Sequence, residues 1–223
     1  MKIAIYTCIT NQVDNLIEDQ PDGADYFIYS DKDPQSKRWK FRQAEEVNLD
    51  PRRIARYYKL LSHRFFPDYD VTIWMDGTIQ MLKTPQEVVE CFLENDGIGT
   101  YIHPRRSCAY DEAQVCKEKG LDKLELLDKQ MWRYEIEGFP GNNGLAETKV
   151  VVRDNSISTK LFNIAWFQEL SENSKRDQVS FPYIMWKTKT PVTIISPPIG
   201  DHGFFKFHKH AKSREETNHD TMA

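Results

Sequence analysis

Short apolar runs rich in β-branched and aromatic residues alternate with stretches of helical period through the first hundred residues, and that alternation leaves few architectures open. KIAIYTCI (2–9) reads as an opening strand, and ADYFIYS (24–30) as a second that ends in the turn-like DKDP. Asp50-Pro51 starts a helix, with the aspartate as N-cap and the proline at the first helical position. Ile54, Tyr57, Tyr58, Leu61 and Phe65 mark the apolar face of that helix, and Pro67 stops it. VTIWM (71–75) is the next strand, TPQE (84–87) a capping box whose helix runs to about Asn95, and GIGTYI (97–102) a further strand. Residues 111–135 read as helical, divided at Gly120. GLAETKVVVRDN (144–155) is a loop leading into a strand. Residues 156–170 and 177–187 are helical, with Pro182 kinking or shortening the second, and TPVTIIS (190–196) is a late strand. The expected fold class is α/β, a mainly parallel central sheet flanked by helices. Such sheets bind ligands at the carboxyl ends of their strands. Two loops then stand out: TCITNQ (7–12) after the first strand, and Asp76-Gly77-Thr78 after VTIWM.

Size and charge narrow the function. The 223 residues suit one domain, taken as 1–210 with a polar tail at 211–223. The formal net charge of −4 lacks the basic surplus of a nucleic-acid binder. The amino-terminal stretch has no h-region or small-residue cleavage site, and no window approaches the roughly 20 apolar residues of a membrane span. The expectation is a soluble cytosolic protein. Cys8, Cys91, Cys108 and Cys116 form no C-x-x-C pair, and His103, Cys108 and Cys116 lack metal-ligand spacing, so reduced structural thiols are expected.

Asp76-Gly77-Thr78 admits two chemistries besides a plain strand-end turn. An aspartyl-phosphate phosphatase needs its nucleophile two residues earlier, where this chain has Trp74, a side chain that cannot attack phosphorus. Alternatively, a carboxylate held rigidly at the end of a buried strand can coordinate Mg²⁺ or Mn²⁺ while substrate phosphates complete the octahedron.

The run YKLLSHRFFPDYDVTIWMDGTIQML resembles the core of GT-A-type nucleotide-sugar glycosyltransferases. It is especially similar to a small family that includes plant cell-wall-related proteins and stand-alone glycosyltransferases of large algal viruses. GLAETKVVVRDN (144–155) and KRDQVSFPYIMWK (175–187) look familial too, and the resemblance spans most of positions 1–210. It implies a GT-A fold and transfer of a sugar from a UDP- or dTDP-linked donor to a glycan acceptor. By resemblance, Asp76 takes the place of the first aspartate of a D-x-D metal motif, whose second aspartate is replaced by Thr78. A histidine near the C-terminus would then complete the site for Mn²⁺ or Mg²⁺, with His208 the best match and His210 and His202 behind it. Mn²⁺ accepts mixed oxygen and imidazole ligation better than Mg²⁺ does.

The remaining candidates follow. Arg52, Arg56, Lys59 and His63 share a helical face opposite the apolar one, which alone reads as a solvated charged face. The resemblance implies that Arg56 and Lys59 offset the donor diphosphate, with Arg53 a third choice. It also implies that the loop holding Thr7 and Thr10 cradles the nucleoside. Asp177, at a helix start, matches the place of the general base that would deprotonate the acceptor in an inverting transfer, and it is also favoured there as a cap. The glycine- and asparagine-rich loop 137–148 offers Asn143 and Glu147 as sugar contacts, or is a plain turn. Trp132, Trp166 and Trp186 form a sugar-stacking face or, more commonly for helical tryptophans, core. Two other functions fit less well. Nucleotidyl transfer wants an early glycine-rich basic loop that TCITNQ lacks. A non-catalytic carbohydrate-binding module on the same fold is kept open by Thr78.

Overall fold

The computed structural model describes residues 1–11, 14–45, 50–94 and 96–208. A seven-stranded sheet forms the centre, in the order β3 (Lys40–Gln43), β2 (Asp25–Ser30), β1 (Ile3–Ile9), β4 (Val71–Met75), β7 (Ala146–Asp154), β6 (Ile98–Ile102) and β8 (Thr193–Ile195). The β3–β2, β2–β1, β1–β4 and β6–β8 pairs are parallel. β7 runs antiparallel to both of its neighbours. The mainly parallel α/β sheet expected from the sequence is present, with one reversed strand near its middle.

Burial on both faces explains the unbroken apolar runs. Along β1, Ala4, Tyr6 and Cys8 point into one core while Ile3, Ile5 and Ile9 point into the other, as a period of two requires. The first core lies under α1 (Pro51–Leu60), α4 (Ala109–Glu118), α5 (Leu124–Ile136), α6 (Ile157–Glu172) and α7 (Asp177–Thr188). The second is covered by α3 (Pro85–Phe92) and a two-stranded ribbon of β5 (Ile79–Met81) and β9 (Phe205–Phe207).

The helix starts follow their capping chemistry. Asp50 accepts from the backbone N–H groups of Arg52 and Arg53, and Thr84 and Glu87 make the reciprocal capping box. The helix expected from Pro51 to Phe65 is instead two: Leu61, at φ −102° and ψ 38°, separates α1 from α2 (Ser62–Phe65). Pro182 sits inside α7, which continues past it. Three short strands, β3, β5 and β9, were not expected. The strand opening at KIAIYTCI runs through Ile9, so Thr7 belongs to β1, and only Thr10 and Asn11 of the described residues begin the loop after it. The tail at 211–223, the helix end at Asn95 and His210 lie outside the described residues. Among the described residues, no helix is long and apolar enough to cross a membrane.

Candidate active site

The reversal of β7 determines what gathers at the carboxyl end of β4. Because the two strands are antiparallel, β7 begins where β4 ends: Met75 pairs with Val150, and the Asp76 N–H donates to the Lys149 carbonyl at 2.9 Å. On its other side, β7 carries an irregularity. The ladder with β6 jumps from Thr100↔Val151 to Tyr101↔Glu147. Such bulges break strict alternation and re-aim side chains. Here Glu147 and Thr148, neighbours in sequence, both reach the first turn of α7. The Thr148 hydroxyl donates to Oδ2 of Asp177 at 2.8 Å, and the Gln178 amide donates to Oε1 of Glu147 at 2.9 Å.

Three carboxylates, Asp76, Glu147 and Asp177, interleave with three cations, Arg56, Lys59 and Lys149. The Lys59 ammonium lies 2.5 Å from Oδ2 of Asp177 and 3.9 Å from Oδ1 of Asp76. Arg56 meets Oδ1 of Asp177 at 3.0 Å, and Lys149 approaches Oε2 of Glu147 at 3.6 Å. The face carrying Arg56 and Lys59 is therefore not the solvated one that its spacing implied. Lys59 is 1% exposed and Asp177 3%. Burial alone would raise the Asp177 pKa, but Arg56, then Lys59, outweigh it and hold the carboxyl well below the usual carboxylate range. Burial pulls the Lys59 ammonium down, against the attraction of Asp177 and Asp76. Burial pushes Glu147 up; Lys149 opposes this and the Asp76 charge reinforces it.

Lys59 is also fixed through its main chain by Arg153, a residue the sequence did not single out. Arg153 is fully buried in β7 and donates to the carbonyls of Lys59 at 2.6 Å and Leu60 at 3.5 Å, to the Tyr6 hydroxyl at 2.7 Å and to Asn163 at 2.9 Å. Those carbonyls end α1, so the guanidinium caps the negative end of the helix dipole. Burial lowers its pKa.

The other expected residues are placed as follows. Asp76 accepts from the Trp74 indole N–H at 2.8 Å, on the same Oδ1 that faces Lys59. His208 follows β9, and its N–H donates to the Thr78 carbonyl at 2.8 Å, so its main chain sits beside the Asp-Gly-Thr turn. Its imidazole Nε2, however, pairs with Gln80 at 2.9 Å, and Gln80 in turn donates to Asp19. His202 pairs with the Tyr101 hydroxyl. The hydroxyl of Thr7 is buried without a hydrogen-bond partner among the described residues, and that of Thr10 reaches the Pro51 carbonyl at 3.5 Å. Arg53 donates to the Leu170 and Asn173 carbonyls at the end of α6, away from the carboxylate cluster. Asn143 is exposed and lines an apolar cleft of about 130 Å³ with Ile102, Leu145 and Met185, separate from Asp76. A roomier hollow of about 610 Å³, lined by Glu18, Asp19, Gln20, Asp22, Gln35, Lys37 and Arg38, holds none of the site residues. Trp166 is core, Trp186 packs on Phe139, and Trp132 is exposed. The four cysteines are free thiols.

The donor set bears on a divalent ion. Among the described residues, no three His, Cys, Asp or Glu side chains gather to hold a metal. The Asp76 carboxylate, with the His208 main chain beside its turn, fits the open arrangement in which protein supplies one or two ligands and phosphate oxygens and water supply the rest.

The sheet order, the acid at the end of β4 and the cations behind it define a GT-A-type fold. Two solved structures share it. The bifunctional glycosyltransferase WbbM, in its apo form, superposes with a TM-score of 0.52 at 11% identity, over 87% of this chain and 38% of that one. Mouse xyloside xylosyltransferase 1, also apo, gives 0.51 at 11% identity, over 87% and 84%. The family model described as "TOD1/MUCI70, glycosyltransferase-like domain" matches residues 28–197, and the chain belongs to that family. From Arabidopsis thaliana, the probable hexosyltransferase MUCI70 is 30% identical over 142 residues, 59% of this chain and 24% of that protein. The alkaline ceramidase TOD1 of the same plant is 26% identical over 156 residues, 65% of this chain and 34% of that protein. The chain thus spans about a quarter to a third of the length of these relatives.

Proposed function

We propose that this domain is a glycosyltransferase that moves a hexosyl group from a nucleotide-diphosphate sugar, UDP- or dTDP-linked, to a carbohydrate acceptor with inversion. The observation that carries the reading is the position of Asp76, at the carboxyl end of β4 and 3.9 Å from a buried ammonium that Asp177 holds, on a residue whose main-chain carbonyl Arg153 fixes. A departing diphosphate needs preorganised positive charge in a site that does not have to reorganise. Lys59 and Arg56 supply it, and Asp177 fixes both cations. Asp76 would hold Mn²⁺ or Mg²⁺, with His208 the second protein ligand once its imidazole leaves Gln80; the bound ion would act as a Lewis acid on the leaving diphosphate. Thr10 begins the loop over the end of β1, where the nucleoside would lie, and Asn143 would contact the sugar or acceptor.

A second reading is favoured by one observation, the ceramidase name carried by a relative at 26% identity. Amide hydrolysis and glycosyl transfer differ in what the protein must bind. The deciding experiment is thermal unfolding with UDP, dTDP, ADP and GDP, each with and without Mn²⁺, for wild type and Asp76→Ala, alongside release of sphingosine from ceramide. A ligand that binds only the folded state adds about 2.7 kcal/mol at a hundred times its dissociation constant. A shift with UDP or dTDP that requires Asp76 and the metal supports transfer. A shift independent of both leaves a metal-free nucleotide site, and UDP release from a UDP-hexose then separates an enzyme from a binding module. Ceramide cleavage with no nucleotide shift overturns the reading.

A further inference from the structure

Of the three carboxylates in the site, Asp177 has no oxygen left for a substrate. Its Oδ1 meets Arg56, and its Oδ2 meets both Lys59 and Thr148. A carboxylate stabilised by two cations is also a weak base. Glu147 is arranged differently. Its Oε1 accepts the Gln178 amide at 2.9 Å, which fixes the carboxyl plane. Its Oε2 faces Lys149 at 3.6 Å, outside hydrogen-bond range, so this oxygen is not committed as those of Asp177 are; the Glu147 side chain is 6% exposed and that of Lys149 40%. The bulge opposite Thr100 and Tyr101 produces this aim: the Thr100 hydroxyl donates to the carbonyls of both Glu147 and Val150, pinning the irregular stretch at its two ends.

We infer that Glu147, held by Gln178 as a positioning residue, is the group that takes the proton from the acceptor hydroxyl, and that Asp177 is an anchor for Lys59 and Arg56. The inference rests on the glycosyl-transfer reading. In the step, the acceptor oxygen bonds to the anomeric carbon, and the carbon–oxygen bond to the diphosphate breaks with its electron pair leaving on the diphosphate. The hydroxyl proton passes to Oε2 of Glu147. The charged groups facing Glu147 are Lys149 on its own strand, Asp76 at the end of β4, Lys59 on α1 and Asp177 on α7; Tyr101 of β6 lies opposite it in register. Burial and the neighbouring acids make Glu147 the more basic carboxylate, as a proton acceptor working near neutral pH requires.

The test follows UDP release from UDP-glucose and UDP-galactose, with free hexoses as acceptors, across pH for wild type, Glu147→Gln, Glu147→Asp and Gln178→Ala, with UDP-induced thermal shifts measured on the same samples. Glu147→Gln is expected to keep the UDP shift, to lose about 10²–10⁴ in kcat and to lose the acid limb of the pH profile. Glu147→Asp is expected to retain that limb with a moved midpoint, and Gln178→Ala to lower kcat with the donor KM unchanged. A Glu147→Gln enzyme with wild-type kcat and an unchanged acid limb overturns the inference while the UDP shift preserves the transfer reading. If Glu147→Gln does not fold, an unmoved midpoint in Glu147→Asp overturns it. No UDP shift and no turnover in wild type overturns both.

Discussion

Lys59 and Asp177 meet at 2.5 Å across 118 residues of chain, joining the last turn of α1 to the first turn of α7. Neither side chain is more than 4% exposed, so water contributes little to stabilising either charge. Removing one member of such a pair leaves the other buried and uncompensated, which costs about 3–5 kcal/mol. Asp177→Ala should lose about that much in urea denaturation, and Lys59→Ala a similar amount. The double variant should lose clearly less than the sum of the two, because the second change removes an already orphaned charge. Strict additivity would mean that the contact does not couple the helices. The pH dependence has a fixed sign. A carboxyl held low in the fold stabilises it above its unfolded pKa near 3.9 and loses that contribution as pH falls through the folded value. The gap between wild type and Asp177→Asn should therefore be flat from about pH 5 upward and narrow in acid.

Arg153 should matter to stability through the end of α1. The variant Arg153→Ala removes the donor to the Leu60 carbonyl and the Asn163 amide oxygen, leaves the Lys59 carbonyl and the Tyr6 hydroxyl only their bond to each other, and opens a cavity in the first core. Unsatisfied buried polar groups cost about 1–3 kcal/mol each, so a loss above about 3 kcal/mol is expected in chemical denaturation. Arg153→Lys keeps the charge but cannot reach carbonyl, hydroxyl and amide together from one nitrogen, and should recover only part of it. If the site depends on where α1 ends, Arg153→Lys should also weaken any UDP-induced thermal shift.

The parts of this arrangement that the sequence revealed are those set by local pattern. The strands β1, β2, β4 and β6 announced themselves because burial on two faces demands an unbroken apolar run. Asp50 and Thr84 marked helix starts because their side chains satisfy N–H groups one turn away. β3, with the sequence KFRQ and no fully buried residue, carries no such signal, and β5 and β9 are three residues each. The reversal of β7 is a choice of partner direction, which no run of residues encodes. The site divides along the same line. Asp76 was legible as an acid at a strand end, and Arg56 and Lys59 as a cationic spacing. That this face turns inward depends on Asp177, 118 residues away. Arg153 reads as an ordinary charge near a strand end, and the aim of Glu147 depends on a bulge that forms only against β6.

Gly99 offers a control that concerns the fold and leaves the site chemistry untouched. A Cβ at this position in β6 would overlap the carbonyl oxygen and Cβ of Phe92 at the end of α3. These are backbone atoms and the first side-chain carbon of one residue, not the far end of a flexible side chain, so nothing there can swing aside. Gly99→Ala should cost about 1–3 kcal/mol, as overpacking does. Gly141→Ala, where nothing lies within 4 Å of the added methyl, should change stability far less. Equal thermal midpoints for the two variants would show that α3 is not seated against β6 as described.

Glu147 should make the protein less stable as pH rises, the reverse of Asp177. Its pKa is raised in the fold, first by burial, so the folded chain binds that proton more tightly than the unfolded chain does. Below the unfolded value near 4.3 both states are protonated and the residue contributes no penalty. Above that value the unfolded chain ionises first, and stability falls until pH passes the folded pKa. Glu147→Gln removes the ionisation while its amide oxygen can still accept from Gln178. It should match wild type in denaturation at about pH 4 and be the more stable of the two at pH 7. Asp76→Asn should reduce the difference at pH 7, because the Asp76 charge is among the groups that raise the Glu147 pKa. A Glu147→Gln protein equal to or weaker than wild type at pH 7 would mean that Lys149 and Lys59 compensate the carboxylate fully, so that the site carries no stored cost to be released when a cation-bearing substrate complex forms around it.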